Sequence, residues 1–487
     1  MQWNDLREFL AKLEEMGDLE TVDGADWNVE IGAITEIMVE RGGPALLFDN
    51  IKDYPKGFRI ATNINRTPRH VAVTLGLNHE APINEMAEEW QRVLPMIEPV
   101  PTNDVATGPI FENEITGDDI NLLKFPVPKW HQNDGNRYIG TGVCVIQKDP
   151  DTGFVNYGTY RVAVQDEKTC GLFIEPDNHG DTIRRKHWSR GEKCPVVIIV
   201  GQDPILTMMA GSHMYKVGYG TSEIEIAGYL QGEGYSVVKG KLTGLPIPAN
   251  AEIAIEGYIP SPEERVEDEG PFGEWTGYYA HERRPETVIE VGAIYHRNDP
   301  ILYGSPPVRP IRTYKDIGNV DLRTKERLTR AGIKGVTSVF TIARPFFGVV
   351  ALNQQYEGHV EDVIRALEPG GDQHSGNHIW ILVDDDIDPS NTEEVLWAMA
   401  SRLIPHSAVT LVPGTAVWQL DPRIPPGQRS DPSGEGRHSY RADNLVLNAC
   451  RPYSWKDHFP PVNRNTPELT EQIERKWERL FEGLPTL

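Results

Sequence analysis

Two glutamates near the middle of the chain have a spacing that suits acid–base chemistry. Glu269 and Glu274 enclose the residues Gly-Pro-Phe-Gly, so two carboxylates lie five residues apart on one short loop. The two glycines allow the backbone to turn tightly and to approach a ligand closely. The alternative interpretation is a plain surface turn, and the pair by itself does not exclude it.

A second set of polar residues has the composition of a metal site. Asn156, His179 and Glu223 would supply an amide, an imidazole and a carboxylate. Such a mixed oxygen and nitrogen set suits Mg²⁺ or Mn²⁺ better than metals that prefer thiolates. The three positions follow no local motif. Each has a structural alternative: an outward polar strand residue, a solvated or core histidine, and a carboxylate at the N-terminus of a helix.

Arg161 follows Asn156 by five residues within the strand-like segment 154–164. A separation of five places two side chains on opposite faces of a regular strand. If both residues line one site, the strand must be irregular, and Gly158 is then the expected position of a β-bulge. Otherwise Arg161 is an ordinary ion-pair partner.

Composition limits the class of protein. The chain has 487 residues, 39% of them apolar and 25% charged, which predicts two to four folded domains rather than disorder. A net charge of -24 argues against a nucleic-acid partner. No apolar run reaches the roughly 18 to 20 residues of a membrane helix, and the N-terminus lacks a signal layout, so we expect a cytoplasmic protein with no membrane partner. The four cysteines lack the CxxC spacing of a zinc ribbon or a redox dithiol.

Apolar spacing predicts the elements that must position these residues. The spacing over 3–16 predicts a helix that Asn4 caps and Gly17 ends. Many strands with glycine-rich turns follow, which is typical of a β-barrel: 138–148, 154–164, 196–201, 251–259 and 287–296. One helix at 222–230 interrupts them, with Thr221 or Ser222 as its cap and Gly232 just past its end.

Beyond about residue 336 the pattern changes. Strand-like FFGVVALN, HIWILVDDD and AVTLV alternate with helix-like HVEDVIRAL and TEEVLWAMASRL, which predicts an α/β layer. Residues 468–481 predict a closing amphipathic helix. The fold class is therefore a multidomain α+β or α/β protein. Its predicted parts are an N-terminal α/β domain (1–110), a central barrel (111–312), a linker helix (313–335), a C-terminal α/β domain (336–455) and a tail helix (456–487).

Several segments together resemble the UbiD-like (de)carboxylase family, in the family's order. They are PVPKWHQNDGNRYIGTG, NYGTYR, IEPDNH, SEIEIAG, PANAEIAIEGY and EGPFGEWTGYY, with QQYEGH and VDDDID further on. The resemblance covers most of the chain, and EGPFGE is its most specific piece. It implies a central split β-barrel that binds flavin, and a C-terminal domain that supports a homodimer or homohexamer.

The resemblance also implies roles for single residues. Asn156, His179 and Glu223 match the residues that bind Mn²⁺ or Mg²⁺, which in turn holds the phosphate of prenylated FMN. Glu223 is chosen over Glu225 because it stands five residues before Gly228, as the family's ligand does. Arg161, Glu269 and Glu274 match the family's catalytic network.

The remaining implied contacts are less specific. The cofactor-binding set adds Tyr157, Gly158, Thr159, Tyr160, Asn178, Met214, Arg437 and His438. Where relatives carry a phosphate-binding lysine, this chain has GEGRHSYRADN, so Arg437, His438 and Arg441 are the alternatives. The backbone of Phe154 and of 211–214 is implied as a K⁺ site. Asp177-Asn178-His179 stands where relatives commonly have Pro-Gln-His, which alters one cofactor contact and keeps the metal ligand.

The implied reaction is loss of carbon dioxide from an aromatic, heteroaromatic or α,β-unsaturated acid, run in either direction. Prenylated FMN would act as the electron sink, a flavin prenyltransferase would supply it, and Glu274 would donate the proton. Two alternatives stay open: a noncatalytic flavin-binding subunit of a carboxylase complex, and a metal-dependent hydrolase built on Asn156, His179 and Glu223.

Overall fold

A computed structural model of the chain describes residues 3–211, 217–309, 321–343, 346–367, 377–417, 420–425, 440–463, 465–477 and 480. The α-helices are α1 (Leu6–Glu15), α2 (Glu30–Glu40), α3 (Pro68–Leu75), α4 (Ile83–Val93), α5 (His179–Ser189), α6 (Pro204–Ala210), α7 (Glu223–Gln231), α8 (Leu322–Arg330), α9 (His359–Leu367), α10 (Thr392–Arg402), α11 (Pro405–Ala408) and α12 (Pro467–Lys476). Short 3₁₀ turns occupy Leu94–Met96, Pro109–Phe111, Gly117–Asp119, Leu122–Lys124 and Tyr453–His458.

The strands outnumber the helices. In the first part of the chain they are β1 (Leu19–Asp23), β2 (Ala45–Asp49), β3 (Arg59–Thr62), β4 (Asn103–Asp104), β5 (Asn113–Thr116), β6 (Arg137–Gly140), β7 (Val143–Lys148), β8 (Val155–Gly158), β9 (Arg161–Val164), β10 (Thr169–Phe173) and β11 (Cys194–Val200). They continue as β12 (Ser236–Lys239), β13 (Pro246–Pro248), β14 (Ile253–Ile259), β15 (Val266–Glu269), β16 (Arg284–His296), β17 (Ile301–Tyr303), β18 (Val336–Ala343), β19 (Phe347–Leu352), β20 (Ile379–Asp384), β21 (Val409–Ala416) and β22 (Arg441–Asn448).

These strands form sheets that confirm a mixed α/β multidomain fold. The largest sheet runs β6-β9-β10-β16-β14-β11-β7-β8, and β5 and β15 also pair with β16. A small sheet has the order β13-β12-β4. Near the N-terminus the order is β1-β2-β3-β17, so the chain returns at 301–303 to complete the first sheet. The C-terminal sheet, β18-β19-β20-β22-β21, contains the parallel pairs β19–β20 and β20–β22 and has the predicted α/β character. The exact domain boundaries stay a prediction.

The large sheet is curled into a half-barrel, and chain connectivity shows why. Two residues, Thr141 and Gly142, join β6 to β7, and two more, Thr159 and Tyr160, join β8 to β9. Each link connects strands six places apart in the sheet order. In a flat sheet those strands would be about 29 Å apart at about 4.8 Å per strand, whereas a two-residue link spans at most about 11 Å. The two ends of the sheet must therefore face each other across a gap, which we call the seam.

Both faces of this sheet are buried. Along β11, Val197 and Ile199 belong to one apolar core, while Val196, Ile198 and Val200 belong to the core on the opposite face. Alternation with period two thus explains a strand that reads as a continuous apolar run. Full burial of each such side chain is worth about 1.5–3 kcal/mol relative to exposure, so the cores hold the sheet in its curled form.

The helix predictions are confirmed with small shifts. The helix predicted at 222–230 is α7, with Ser222 at its N-cap and Gly232 in the left-handed conformation at its end. The predicted N-terminal helix begins later, because Asp5 rather than Asn4 accepts the hydrogen bond from the Glu8 backbone N–H. The predicted closing helix is described over Pro467–Lys476.

Two strand predictions were wrong. The segments 138–148 and 154–164 each contain two strands rather than one, and Gly158 ends β8 instead of forming a bulge. The physical reason is the seam: β8 pairs with β7 at one end of the sheet, whereas β9 pairs with β6 and β10 at the other. No helix among the described residues is long and apolar enough to cross a membrane.

Candidate active site

Arg161, Glu269 and Glu274, which the family resemblance assigns to one network, lie together as one buried cluster. Arg161 begins β9; its Nη2 lies 2.6 Å from Glu269 Oε2, and its Nη1 lies 2.5 Å from Glu274 Oε1. All three side chains are less than one-tenth exposed. Two carboxylates therefore share one guanidinium away from bulk water, where charge-assisted hydrogen bonds are strong.

Aromatic rings fix the guanidinium in place. The Arg161 Cζ atom lies 4.5 Å from the centre of the Phe173 ring and 5.0 Å from that of Phe272. Cation–π contact of this kind is favourable and also shields the ion pairs from water. Within the described part of the chain, Arg161 Nε and Glu269 Oε1 are buried without a hydrogen-bond partner. These two atoms are therefore available to hydrogen-bond with a bound ligand or an ordered water.

Burial sets the protonation of the network. The pKa of Glu274 is raised above its usual range, mainly because the carboxyl is buried; Glu175 and Glu269 add to this, and Arg161 opposes it. Burial disfavours the charge on Arg161, but the two carboxylates outweigh it and raise the pKa of the guanidinium. Since Glu274 Oε1 accepts from Arg161, a proton on this carboxyl belongs on Oε2. Glu274 is thus suited to be an acid.

The loop that carries both glutamates is held by the segment before β6. Glu269 ends β15, and Gly270 follows with a φ of 97°, a conformation that favours glycine. The Gly270 N–H donates to Asn136 Oδ1 over 3.1 Å, and the Gly135 N–H donates to the Pro271 carbonyl over 2.8 Å. Gly135 allows its own backbone to pass close to that of Gly270, because a Cβ added at Gly135 would lie 1.8 Å from the Gly270 carbonyl oxygen.

Alanine at position 135 should therefore disrupt this loop. We expect Gly135→Ala to lower the free energy of unfolding by about 1–3 kcal/mol, as overpacking does, and to lower turnover because the loop must move. Urea denaturation followed by tryptophan fluorescence measures the first effect. Gly218→Ala is the matched control, since a Cβ at Gly218 meets nothing within 4 Å. Wild-type stability of Gly135→Ala would contradict this description of the loop.

The three predicted metal ligands lie on elements that meet at the opposite side of the seam. Asn156 is on β8, His179 is the first residue of α5, and Glu223 is the first residue of α7. His179 Nδ1 and Glu223 Oε1 are 3.8 Å apart. Two ligands that bind one Mg²⁺ at about 2.1 Å each can be up to about 4.2 Å apart, so this pair fits a shared cation.

The Glu223 side chain is held in place by β8. Its Oε2 accepts a hydrogen bond of 2.8 Å from the Tyr157 N–H, and the Ser222 hydroxyl donates to the Val155 carbonyl over 2.7 Å. Glu223 is buried, whereas Glu225, two residues later in the same first turn of α7, is partly exposed. No group of three or more histidine, cysteine, aspartate or glutamate side chains within the described ranges could hold a metal ion. The candidate set accordingly depends on the amide of Asn156.

Some residues predicted to bind the cofactor lie at the seam, and one, Tyr157, has its side chain in the core. Tyr160 lies at the seam, and its hydroxyl accepts from the Gly180 N–H over 3.0 Å and lies 3.4 Å from Asn156 Nδ2. A Cβ at Gly158 would lie 2.5 Å from the Tyr160 ring, so a larger residue here would displace that ring. The Thr159 Oγ1 atom is buried without a partner among the described residues. Tyr157 instead points into the core and donates to the Pro246 carbonyl, so only its backbone faces Glu223.

Of the other predicted cofactor and K⁺ contacts, some lie among the described residues and some lie outside them. Asn178 is the N-cap residue of α5, directly before His179. The Phe154 carbonyl, a candidate K⁺ contact, accepts from the Asp149 N–H over 2.8 Å. Arg441 begins β22 in the C-terminal sheet. Met214, Arg437 and His438 lie outside the described residues, as do residues 212–216 of the predicted K⁺ site.

Sequence reasoning missed the residues that support His179. The Tyr219 ring packs edge-on against the His179 ring at 5.2 Å, and its hydroxyl donates to Asp149. Asp149 is fully buried and also accepts from Lys186 Nζ over 2.6 Å. Burial would raise the pKa of Asp149, but the Lys186 and Tyr219 hydrogen bonds outweigh it and hold the pKa below its usual range. No local sequence signal joins these three residues, since they come from separate elements.

Comparison with known proteins gives the class of this site. The chain matches the profiles of the 3-octaprenyl-4-hydroxybenzoate carboxy-lyase N-terminal domain at residues 10–90, its Rift-related domain at 103–310 and its C-terminal domain at 322–439. It is 35% identical to a phenolic acid decarboxylase of Bacillus subtilis (strain 168), over 98% of both chains. It is 30% identical to a pyrrole-2-carboxylic acid decarboxylase of Pseudomonas aeruginosa, over 97% of both. The protein is therefore a carboxy-lyase.

Solved structures agree with this class. The UbiD-class enzyme HmfF from Pelotomaculum thermopropionicum, solved with FMN, has a TM-score of 0.80 and 26% identity, covering 96% of this chain and 98% of its own. An evolved dimeric form of HmfF is solved with prFMN. Vanillic acid decarboxylase of Sedimentibacter hydroxybenzoicus has a TM-score of 0.80 and 28% identity, covering 99% of this chain and 100% of its own. The chain belongs to the UbiD family.

Proposed function

We propose that this carboxy-lyase releases carbon dioxide, reversibly, from an aromatic, heteroaromatic or α,β-unsaturated carboxylic acid, with prenylated FMN as its cofactor. The observation that carries the proposal is the buried network of Arg161 with Glu269 and Glu274. The substrate class is supported by relatives that decarboxylate phenolic acids and pyrrole-2-carboxylic acid. The flavin is supported by similar structures that hold FMN or prFMN.

The residues at the seam would hold the cofactor. Asn156, His179 and Glu223 would bind Mn²⁺ or Mg²⁺, and this cation would bind the flavin phosphate. The buried Thr159 hydroxyl would supply a further hydrogen bond. K⁺ would bind backbone oxygens near Phe154, and Arg437, His438 or Arg441 would add positive charge. When bound, prenylated FMN supplies an electron sink for the carbanion that decarboxylation of an sp² carbon would otherwise leave.

The remaining chemistry belongs to the three networked residues. Arg161 holds the two carboxylates in a fixed arrangement, and Phe173 and Phe272 exclude water from it. Glu269 orients Arg161 from the side opposite Glu274. Glu274 carries a proton on Oε2 and delivers it to the carbon that has lost its carboxyl group, since its raised pKa keeps it protonated nearer neutral pH.

Production with and without a flavin prenyltransferase tests the proposal. Native mass spectrometry should show prenylated FMN and a divalent metal only in protein made with the prenyltransferase, and should also count the subunits of the expected homodimer or homohexamer. This protein should release carbon dioxide from at least one member of a panel of cinnamic, hydroxybenzoic and heteroaromatic acids, while protein made without the prenyltransferase should not.

Two outcomes would contradict the proposal. Loaded protein that releases no carbon dioxide from any class of acid would favour a noncatalytic flavin-binding subunit. Protein that binds metal but no flavin, and shows no flavin absorbance in the visible range, would favour the metal-dependent hydrolase.

A further inference from the structure

Asp134 is a buried carboxylate surrounded by hydrogen-bond donors close to the network. Its side chain is fully buried. Its Oδ2 accepts from the His131 N–H over 2.9 Å, and its Oδ1 accepts from the Gly273 N–H over 3.3 Å and from the Tyr279 hydroxyl over 3.1 Å. The His131 Nδ1 atom lies 3.5 Å from Oδ2. A backbone N–H can only donate, and one such group faces each oxygen of Asp134, so the site requires a side chain with two acceptor oxygens.

Two of these donors enclose the turn that carries Glu274. Gly273 directly precedes Glu274, and Tyr279 lies five residues after it. The backbones of Gly273 and Tyr279 also form an isolated β-bridge, so the residues between them are closed into a loop. Asp134 bonds to both ends of that loop. Its position therefore determines where the Glu274 backbone lies relative to Arg161.

We propose that Asp134 is a positioning residue for proton transfer, acting through Gly273 and Tyr279 on Glu274. This inference rests on the proposed function, in which Glu274 is the proton donor. Catalytic groups must be held close to their productive geometry, and a displacement of about 1 Å can cost about 100-fold in rate. An asparagine cannot replace Asp134, because in either orientation its NH₂ group would face the backbone N–H of His131 or of Gly273.

Two substitutions and a matched control test the proposal. Asp134→Asn should lower kcat by about 10- to 100-fold, and Tyr279→Phe, which removes a single hydrogen bond, by about 3- to 10-fold. Both should leave KM and flavin content near their wild-type values. Tyr278→Phe is the control, since the neighbouring Tyr278 side chain is 59% exposed, and it should keep wild-type kcat. Tyr279→Phe keeps the buried Asp134 carboxylate, so it tests the positioning role of Asp134 even if Asp134→Asn fails to fold.

The Glu274→Gln background separates this inference from the proposed function. If Tyr279 acts through Glu274, Tyr279→Phe should lower kcat in the wild type and cause no further loss in Glu274→Gln, measured at high enzyme concentration. An equal fold-loss in both backgrounds would overturn the positioning role while leaving Glu274 as the donor. Wild-type kcat of Tyr279→Phe would overturn it as well. Near-normal turnover of Glu274→Gln alone would instead refute the proposed function of Glu274.

Discussion

Glutamine at position 274 should abolish most turnover and spare binding. We expect Glu274→Gln to lower kcat by at least about 100-fold, the usual effect of removing a general acid. The amide keeps the size of the side chain and an oxygen that can accept from Arg161, but its NH₂ group is not acidic and cannot deliver a proton to carbon. Stopped assays of carbon dioxide release measure the rate, and native mass spectrometry should show unchanged flavin and metal.

The pH dependence of turnover gives an independent readout of the same group. The pKa of Glu274 is raised by burial, so the carboxyl is protonated and active below that value and loses its proton as the pH rises through it. Wild-type kcat should therefore fall on the alkaline side, and this limb should be absent from the residual activity of Glu274→Gln.

A matched control exists on β16. Glu286 is mostly buried, with 15% of its side chain exposed, and burial raises its pKa as well. It feels the charges of Arg161 and Glu269, but its hydrogen bond of 2.7 Å goes to Arg284. Glu286→Gln should keep most of its turnover and the alkaline limb. Near-normal turnover of Glu274→Gln, or an equal loss in both variants, would remove Glu274 from the proposed mechanism.

Loss of His179 or Glu223 should empty the cofactor site. We expect His179→Ala and Glu223→Ala to lower bound metal and bound flavin together. The expected loss of metal affinity is at least about 10-fold, since even substitutions of residues that only support a metal ligand have effects of that size. Metal analysis by mass spectrometry and flavin absorbance of the purified variants provide the measurements, neither of which depends on turnover.

Glu225→Ala is the control for this experiment. Glu225 belongs to the same first turn of α7 but is partly exposed, whereas Glu223 is buried against β8. It should keep wild-type metal and flavin. Wild-type metal and flavin content in both His179→Ala and Glu223→Ala would refute the metal assignment. A loss of flavin with full metal content would show that these residues bind flavin without binding the metal.

Elements determined by neighbouring residues were predictable from the sequence. The helix α9 has the predicted bounds His359–Leu367, and α7 differs by one residue at each end. Both depend on helical spacing and on local end signals such as Gly232. The strands were harder to divide, because Thr159 and Tyr160 have strand-like preferences and periodicity does not reveal that β8 and β9 pair at opposite ends of the sheet.

The site itself could not be assembled from spacing. Arg161 is more than 100 residues from Glu269 and Glu274, and only the family resemblance joined them before the structure did. The structure brings the three together, and their catalytic role stays a prediction. Asp134 and Tyr219 were missed for the same reason. Their partners are distant in sequence, and a lone aspartate before a glycine, or a tyrosine between two glycines, indicates a turn as readily as a supporting contact.

The two-residue links across the seam limit how this enzyme can be redesigned. Thr141–Gly142 and Thr159–Tyr160 act as fixed-length tethers, so an insertion in either would let the two edges separate and pull Asn156 away from Arg161. Attempts to enlarge the acid-binding space should therefore exchange side chains and leave the tethers at their present length.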